Sequence, residues 1–289
     1  MKTKANPRTQ PPARGLTLIE MLTVIAIISL LAALLLAALS SAKRKSQRIQ
    51  CLNNLRQLYV AVATFAGDHR DSLPPNNASG LAPDQQSWVG GWLDLDPYNG
   101  DSVNTDLLVN QEKYPYAAHL GQYLGGNYTV FKDPSDPSTA RPFNTSPRPR
   151  VRSYSLSNFM NGRPDESYNQ KDPIANFYPD ARYYRRLADI DTPSKRYMLL
   201  DEHWLSIDNG AFHLGRWANS PSDTVRGNIP ADYHAKGAMF AWSDGSVSPH
   251  KWTDARTTST SQVDYPIWLA SQPGNADILW LQEHATSLK

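Results

Sequence analysis

The fold of this 289-residue chain is decided near its N-terminus, where residues 14–39 read RGLTLIEMLTVIAIISLLAALLLAAL. From Leu16 to Leu39 this stretch is almost wholly apolar, and Glu20 is its single charged residue. As an α-helix, about 24 residues extend roughly 36 Å, which exceeds the roughly 30 Å hydrocarbon core of a bilayer. We therefore expect a transmembrane helix over about residues 16–40.

The residues before this apolar run form a basic leader, residues 1–15. Lys2, Lys4, Arg8 and Arg14 supply four positive charges, and the leader contains no acid. The whole chain has a net charge of +2, which becomes −2 once those four charges are subtracted. The basic character of the chain therefore comes from its leader, and we predict no nucleic acid partner.

Two other interpretations of the N-terminal segment stay open on the residues alone. A secretory signal peptide has an apolar run of roughly 7–15 residues before a cleavage site of small residues. The run here is longer, although Ala37-Ala38-Leu39-Ser40-Ser41-Ala42 offers such small residues. Glu20 could also be an interfacial side chain that reaches water, because an unpaired acid deep in a membrane costs about 2.5 kcal/mol or more.

Gly15, followed by Leu16 and then by Thr17-Leu18-Ile19-Glu20, resembles the prepilin cleavage and methylation motif of type IV pilins and type II secretion pseudopilins. The resemblance implies that a prepilin peptidase cleaves between Gly15 and Leu16 and methylates the new amino terminus at Leu16. It also implies that Glu20, fifth in the mature chain, pairs with the terminal amine of a neighbouring pilin or pseudopilin subunit during filament assembly.

The same resemblance orients the chain in a bacterial inner membrane. Basic residues lie on both sides of the apolar run, so charge bias alone does not orient it. In the resembled families the leader lies in the cytoplasm and the head lies outside, first at the membrane and then in a periplasmic or cell-surface filament. The resemblance therefore implies a structural filament subunit rather than an enzyme.

The helix is expected to continue past the membrane and to end at Gly67. No Gly or Pro interrupts residues 16–66, and Pro74 and Pro75 follow. Beyond the basic residues at 43–48, apolar residues recur at helical spacing: Cys51, Leu52, Leu55, Leu58, Tyr59, Val62 and Phe65. We therefore predict three regions: the leader 1–15, a long helix 16–67 and a globular head 68–289.

The head is predicted to be α+β and pilin-like, with the long helix packed on a loop-rich antiparallel sheet. A strand is expected at 196–200, and a hairpin is expected around Asp244-Gly245, where both turn positions would take positive φ. Ile278, Leu281, Ala285 and Leu288 predict a short C-terminal helix. Arg148, Arg150 and Arg152 are expected to line the solvated edge of a loop.

Parts of the head extend the resemblance to large pilin-like proteins. His234, nine further residues and then Asp244-Gly245 are similar to their H-X9-DG signature, and segments 131–136, 151–155 and 201–210 also look like that group. Relatives often carry a cysteine at the place of Asp133, where it could partner the cysteine of the long helix. This chain has one cysteine, Cys51, so that cross-link is absent.

The head has two further possible uses, a metal site and a ligand-binding surface. A metal site could draw on Asp201, His203, Asp208, His234 and Asp244, with Ca²⁺ as a structural ion by resemblance to the major pseudopilins, or Zn²⁺ or Mn²⁺ if histidine takes part. The alternative is that His234 orients the hairpin and Asp244 serves the turn. The eight tryptophans and fourteen tyrosines favour a core, or else a membrane-anchored surface module that binds a glycan or another ligand. No catalytic motif such as HExxH or GxSxG is present.

Overall fold

A computed structural model describes residues 17–76, 80, 82–83, 86–93, 96, 99–142, 145–161, 181–214, 225–260 and 270–288. Gly15 and Leu16 lie outside these ranges. The chain divides into two compact units, Met1–Lys45 and Ser46–Lys289. The long helix α1 (Leu18–Asp68) contributes its first part to one unit and its last part to the other.

The N-terminal unit consists, in its described part, of the apolar portion of α1. Its large hydrophobic side chains are exposed, with Leu18 at 83%, Leu35 at 70% and Leu39 at 66%. Among the described residues α1 is the one helix long and apolar enough to cross a membrane, by length and composition. None of the described residues packs over this surface, so it requires an apolar environment from another source.

The second unit begins with the amphipathic portion of α1, residues 46–68, and its buried stripe confirms the predicted helical spacing. The buried side chains are Cys51, Asn54, Leu55, Leu58, Ala61, Val62, Phe65 and Ala66. All of them except Asn54 and Ala66 belong to a core cluster that also contains Leu156, Met198 and Met239 of the central sheet. The hydrophobic face of the helix therefore closes one side of that sheet.

The central sheet has five strands in the spatial order β5-β3-β4-β7-β8. These are β3 (Tyr154–Ser157), β4 (Tyr197–Asp201), β5 (Ala211–Phe212), β7 (Gly237–Trp242) and β8 (Val247–Lys251). All neighbouring pairs are antiparallel except β3 with β5, which are parallel. Two small antiparallel pairs lie elsewhere, β1 (Thr139–Ala140) with β2 (Arg148–Pro149) and β6 (Val225–Arg226) with β9 (Ala270–Ser271).

The register of β4 determines which side of the sheet each of its residues faces. A shift in pairing between Tyr197 and Leu199 places Met198 and Leu199 together in the cluster beneath α1, whereas Leu200 joins the opposite cluster. Alternation along the strand then returns Asp201 to the α1 side. This register positions one of the head's buried acids.

The predicted C-terminal helix forms as α3 (Ala276–Ala285) and covers the other face of the sheet, but Leu288, which was expected in it, lies beyond its end. Ile278, Leu281 and Ala285 pack with Phe240 and Trp252. Asn275 caps the helix, because its side-chain oxygen accepts the N–H groups of residues 277 and 278. A short helix α2 (Asp106–Val109) and 3-10 turns at Gly100–Val103, Gln122–Leu124, Tyr128–Phe131, Leu187–Asp189 and Pro193–Lys195 complete the described elements. The architecture is the predicted α+β, pilin-like arrangement.

The hairpin β7–β8 forms where predicted, but its turn differs from the expected type. Trp242 N–H donates to Ser246 O over 2.8 Å, and Gly245 N–H donates to Trp242 O over 2.9 Å. Gly245 alone in this loop has positive φ, +84°. The connection is thus a three-residue loop that ends in a left-handed glycine, and Asp244 contributes by accepting the hydrogen bonds of Ser246.

The expectation of a solvated arginine edge is wrong for two of the three arginines. Arg148 is exposed, whereas Arg150 and Arg152 are 2% and 0% exposed. Arg150 donates to the backbone carbonyl of Trp204 over 2.5 Å, and Arg152 donates to that of Asp208 over 3.2 Å. For Arg152, the buried acids Glu202 and Asp208, far away in the sequence, supply the compensation that a charge needs inside a protein.

Candidate functional site

The first candidate site is the start of α1, where Thr17 and Glu20 form a capping box. The backbone N–H and the hydroxyl of Thr17 each donate to Glu20 Oε2 over 2.8 Å, and Glu20 N–H donates back to Thr17 Oγ1 over 3.3 Å. Such reciprocal bonds satisfy backbone donors that a helix start leaves free. The Thr-x-x-Glu spacing could have revealed this role in the sequence, where Glu20 is interpreted as an assembly residue or an interfacial side chain and not as a helix cap.

The capping box gives Glu20 polar partners inside its own chain. Its carboxylate therefore does not stand alone on the exposed apolar surface of residues 18–39. Because Glu20 accepts both bonds with one oxygen, Oε2, the other carboxylate oxygen stays accessible to a further donor. Gly15 and Leu16, the predicted cleavage and methylation positions, lie outside the described residues.

The second candidate site is a buried polar cluster where α1 meets the sheet. It contains Cys51 of α1, Asp133 after the turn at 128–131, Asp201 at the end of β4 and His234 before β7. One donor atom from each of the four side chains lies within 4.8 Å of all the others. His234 Nε2 is 2.7 Å from Asp133 Oδ2 and 3.8 Å from Asp201 Oδ2.

Burial controls the protonation of this cluster. It raises the pKa of the Cys51 thiol well above its usual value, and the carboxylates of Asp201 and Asp133 add to that rise. Burial and the nearby Asp133 also raise the pKa of Asp201 well above its usual value. Tyr154 donates its hydroxyl hydrogen bond to Cys51 Sγ over 3.3 Å. A buried thiol with a raised pKa is a poor nucleophile, so this arrangement does not indicate cysteine catalysis.

The five side chains considered for a metal site are only partly brought together. Asp201 and His234 meet in the buried cluster, whereas His203 contacts Trp204 and Tyr233, and Asp208 lies beside the Arg152 network. Asp244 is exposed in the hairpin turn. Sequence reasoning missed Asp133 and Cys51 as metal-ligating candidates, although it associated the two positions with each other through the resemblance.

A structural Ca²⁺ does not fit the donors that converge here. Ca²⁺ takes six to eight oxygen ligands, roughly 2.3–2.6 Å away. The buried cluster offers one sulfur, one imidazole nitrogen and two carboxylates. One oxygen of each carboxylate already accepts a hydrogen bond from the backbone. Asp133 Oδ1 accepts from Ser135 N–H and Asp201 Oδ1 accepts from Met239 N–H, both over 2.6 Å. Too few oxygens remain for a calcium shell.

A third feature of the head is a buried ionic network in which side chains of the segments 151–155 and 201–208 contact each other. Glu202 accepts hydrogen bonds from Ser155 Oγ over 2.6 Å and from Ser206 Oγ over 2.8 Å. Burial raises its pKa to about 7, although these bonds and the nearby Arg152 oppose the rise. Burial and the Glu202 charge raise the pKa of Asp208 to about 8. The side chains face inward, so the network indicates a structural role.

The hairpin turn supplies another contact between the head and α1. Tyr59 donates its hydroxyl hydrogen bond to Ser243 O over 3.0 Å, and Arg56 donates to Gly245 O. A Cβ at Gly245 would lie 2.5 Å from Tyr59 Cε1. His234 lies ten residues before Asp244, and Gly245 directly follows it. These two residues thus approach α1 at two places, His234 beside Cys51 and Gly245 beside Tyr59.

The comparisons with known proteins agree with the N-terminal motif. A family profile described as "Prokaryotic N-terminal methylation motif" matches residues 11–36, a span that includes Gly15, Leu16 and Glu20. The chain is 32% identical over 83 residues to the type IV major pilin protein PilA of Myxococcus xanthus (strain DK1622). That match covers 29% of this chain and 38% of the pilin, so the chain spans well under half of its relative.

No solved structure gives a significant match to the chain. The observations that bear on the family are the prepilin motif, the similarity to a type IV pilin over 83 residues and the described architecture. A long N-terminal helix packs its second part on a head rich in antiparallel strands. The chain thus carries a prepilin-type N-terminal methylation motif, is similar in part to a type IV pilin and has an α+β fold of the pilin-like kind.

Proposed function

We propose that the chain is a structural subunit of a type IV pilus-like filament or a type II secretion pseudopilus. The observation that carries this proposal is the prepilin-type motif directly before a helix whose apolar side chains are exposed along residues 18–39. A prepilin peptidase removes the leader at Gly15 and methylates Leu16. The inner membrane holds the subunit, head outside, until filament assembly.

In this proposal the exposed surface of the N-terminal unit has two successive environments. Lipid covers it first, and the helices of other subunits cover it in the filament. Glu20 keeps its capping bonds to Thr17 while its second carboxylate oxygen accepts the terminal amine of a neighbour. Pairing a carboxylate with an ammonium in an apolar environment offsets the cost of burying either one alone.

Processing is tested by Gly15→Ala in the organism's own export background. We expect unprocessed precursor, seen as a mass that retains the leader, because the peptidase of the resembled families requires glycine before the cleaved bond. Gly67→Ala is the matched control, since a Cβ there meets no atom within 4 Å. Mature protein of normal mass from the Gly15 variant would refute the processing step.

Assembly is tested by comparing Glu20→Ala with Thr17→Val. If Glu20 acts through a neighbouring amine, its loss abolishes sheared or pelleted filaments while processing continues. Thr17→Val removes the hydroxyl partner but leaves the carboxylate, so it should reduce assembly far less. Equal defects in the two variants would show that Glu20 acts only as a helix cap, and wild-type assembly without Glu20 would remove the proposal.

The alternative of a membrane-anchored binding module is favoured by one observation. The ring of Trp280 stacks with the rings of His250 and His284, at centroid distances of 3.6 and 4.3 Å. All three residues are half-buried rather than fully buried. Stacked aromatic rings at a surface are suited to planar or sugar ligands. Ligand binding by this stack would persist in Glu20→Ala, whereas filament assembly would not, so the same variant separates the two functions.

A further inference from the structure

We propose that Cys51, Asp133, Asp201 and His234 form a structural Zn²⁺ site that fastens the amphipathic part of α1 to the head. The four side chains come from four separate segments of the second unit, and consecutive ones are 33 to 82 residues apart along the chain. Three are completely buried, and the His234 side chain is 3% exposed. The site therefore connects elements that the sequence keeps apart.

The donor types match zinc better than the other common biological cations. Zn²⁺ is bound by thiolate, imidazole and carboxylate in four-coordinate sites, whereas Ca²⁺ and Mg²⁺ take oxygen ligands. Ligands at about 2.0–2.3 Å from one ion at tetrahedral angles lie roughly 3.3–3.8 Å apart. The four donor atoms here lie within 4.8 Å of one another. Small side-chain adjustments bring such a set onto one ion.

The two carboxylates are oriented as metal ligands are. Asp133 directs Oδ1 to the N–H of Ser135, and Asp201 directs Oδ1 to the N–H of Met239, so backbone donors hold each group in place. Their Oδ2 atoms face the cluster, at 2.7 and 3.8 Å from His234 Nε2. Hydrogen-bonded outer partners of this kind fix ligand geometry in metal sites.

Asp201 provides the independent sign that a ligand belongs here. Its Oδ2 atom is fully buried and has no hydrogen-bond partner among the described residues. A buried polar atom without a partner is costly, and native proteins leave few of them. A cation among the four donors supplies that partner. It also offsets the repulsion of two carboxylates, which the single imidazole of His234 balances only in part.

Zinc binding in this site exchanges protons for a metal. Cys51 binds as the thiolate, Asp201 as the carboxylate and His234 as the neutral imidazole, and the protons that these groups carry without the metal are released to solvent. No electron is transferred. The ligands come from α1, the loop at 133, β4 and the loop at 234, and only the folded chain brings them together on one ion. Bound zinc therefore stabilises the folded state.

The test uses the full chain purified in detergent without chelators, after expression with added zinc. We expect about one Zn²⁺ per chain by elemental analysis, and a thermal midpoint that falls when the metal is removed with a chelator. Cobalt in place of zinc should give a thiolate-to-cobalt charge-transfer band. Cys51→Ser and Asp201→Asn should each lose most of the bound metal, and Cys51→Ser should lose the band.

Asp244→Asn is the control, because Asp244 is an exposed acid of the same hairpin region and should leave the zinc content unchanged. The metal-free alternative is a protonated Asp201 beside a His234–Asp133 ion pair. It predicts that Asp201→Asn leaves the thermal midpoint unchanged or raises it. Metal-free wild type with a chelator-insensitive midpoint overturns the proposal, and so does zinc that persists in both ligand variants. If the variants fail to fold, the chelator and cobalt measurements on the wild-type chain still show whether it binds a metal through Cys51.

Discussion

Replacing Gly245 by alanine should weaken the docking of the hairpin on α1. Gly245 has φ of +84°, a region that residues with a Cβ rarely adopt. The added Cβ would also lie 2.5 Å from Tyr59 Cε1 and 3.0 Å from Cδ1. The Tyr59 ring cannot simply turn aside, since its hydroxyl donates to Ser243 O over 3.0 Å. The variant therefore combines a backbone cost with a packing cost.

The two costs can be assigned separate magnitudes. Left-handed backbone at a residue with a Cβ costs about 1–2 kcal/mol, and forcing extra volume into a packed contact costs about 1–3 kcal/mol. Together they lower the unfolding free energy by about 2–5 kcal/mol. Gly125→Ala isolates the backbone part, because Gly125 has φ of +60° and its Cβ would meet no atom within 4 Å.

The measurement is denaturant unfolding of the full chain in detergent, followed by tryptophan fluorescence. Gly245→Ala should shift the midpoint to clearly lower denaturant than Gly125→Ala does. Combining Gly245→Ala with Tyr59→Leu should recover part of the difference, because the shortened side chain vacates the space that the ring occupied. Equal shifts for the two glycine variants would refute the assignment of the Gly245–Tyr59 contact.

Two further predictions concern the buried ionic network. Arg152→Met should destabilise the head by about 3–5 kcal/mol above pH 8, where buried Glu202 and Asp208 are ionised and lose a cation that stabilises their charges, and by less at lower pH. Arg148→Met, at an exposed site, should change denaturant unfolding by less than about 0.5 kcal/mol. The native pKa values of about 7 for Glu202 and about 8 for Asp208 lie above the values of these groups in the unfolded chain, so the folded state binds more protons. The unfolding free energy should therefore fall as pH rises between about 4.5 and 8. Glu202→Gln should flatten the lower part of that dependence in pH-resolved denaturation, whereas Asp244→Asn should leave it intact; an unchanged profile in the Glu202 variant would contradict the assignment.

The helices and the main hairpin were accessible from the sequence because each is specified by local pattern. The apolar run from Leu16 and the spacing of Leu55, Leu58 and Val62 set both parts of α1. Asp244-Gly245 marked the hairpin, but the dipeptide did not decide between turn types. The observed loop has one positive φ rather than two, a difference that depends on how the flanking strands pair.

The polar interior was not accessible in the same way. In the sequence Arg152 resembles a solvated loop residue. The acid that compensates its buried charge, Glu202, lies fifty positions later and cannot be paired with it from local pattern. Asp133 lies 82 residues from Cys51, and only the folded sheet brings them together. A charged residue in a polar segment is solvated by default, so its burial becomes predictable only when the distant partner is known.

The nine residues between His234 and Asp244 acquire a physical meaning from these contacts. They contain β7, whose six residues extend roughly 20 Å at about 3.3 Å each. His234 at one end reaches the Cys51 cluster, and Gly245 at the other end lies against Tyr59. Cys51 and Tyr59 are eight residues apart on α1, a rise of about 12 Å. The segment from His234 to Gly245 therefore approaches the same helix at both of its ends, and this double contact gives the spacing between the histidine and the turn a structural role.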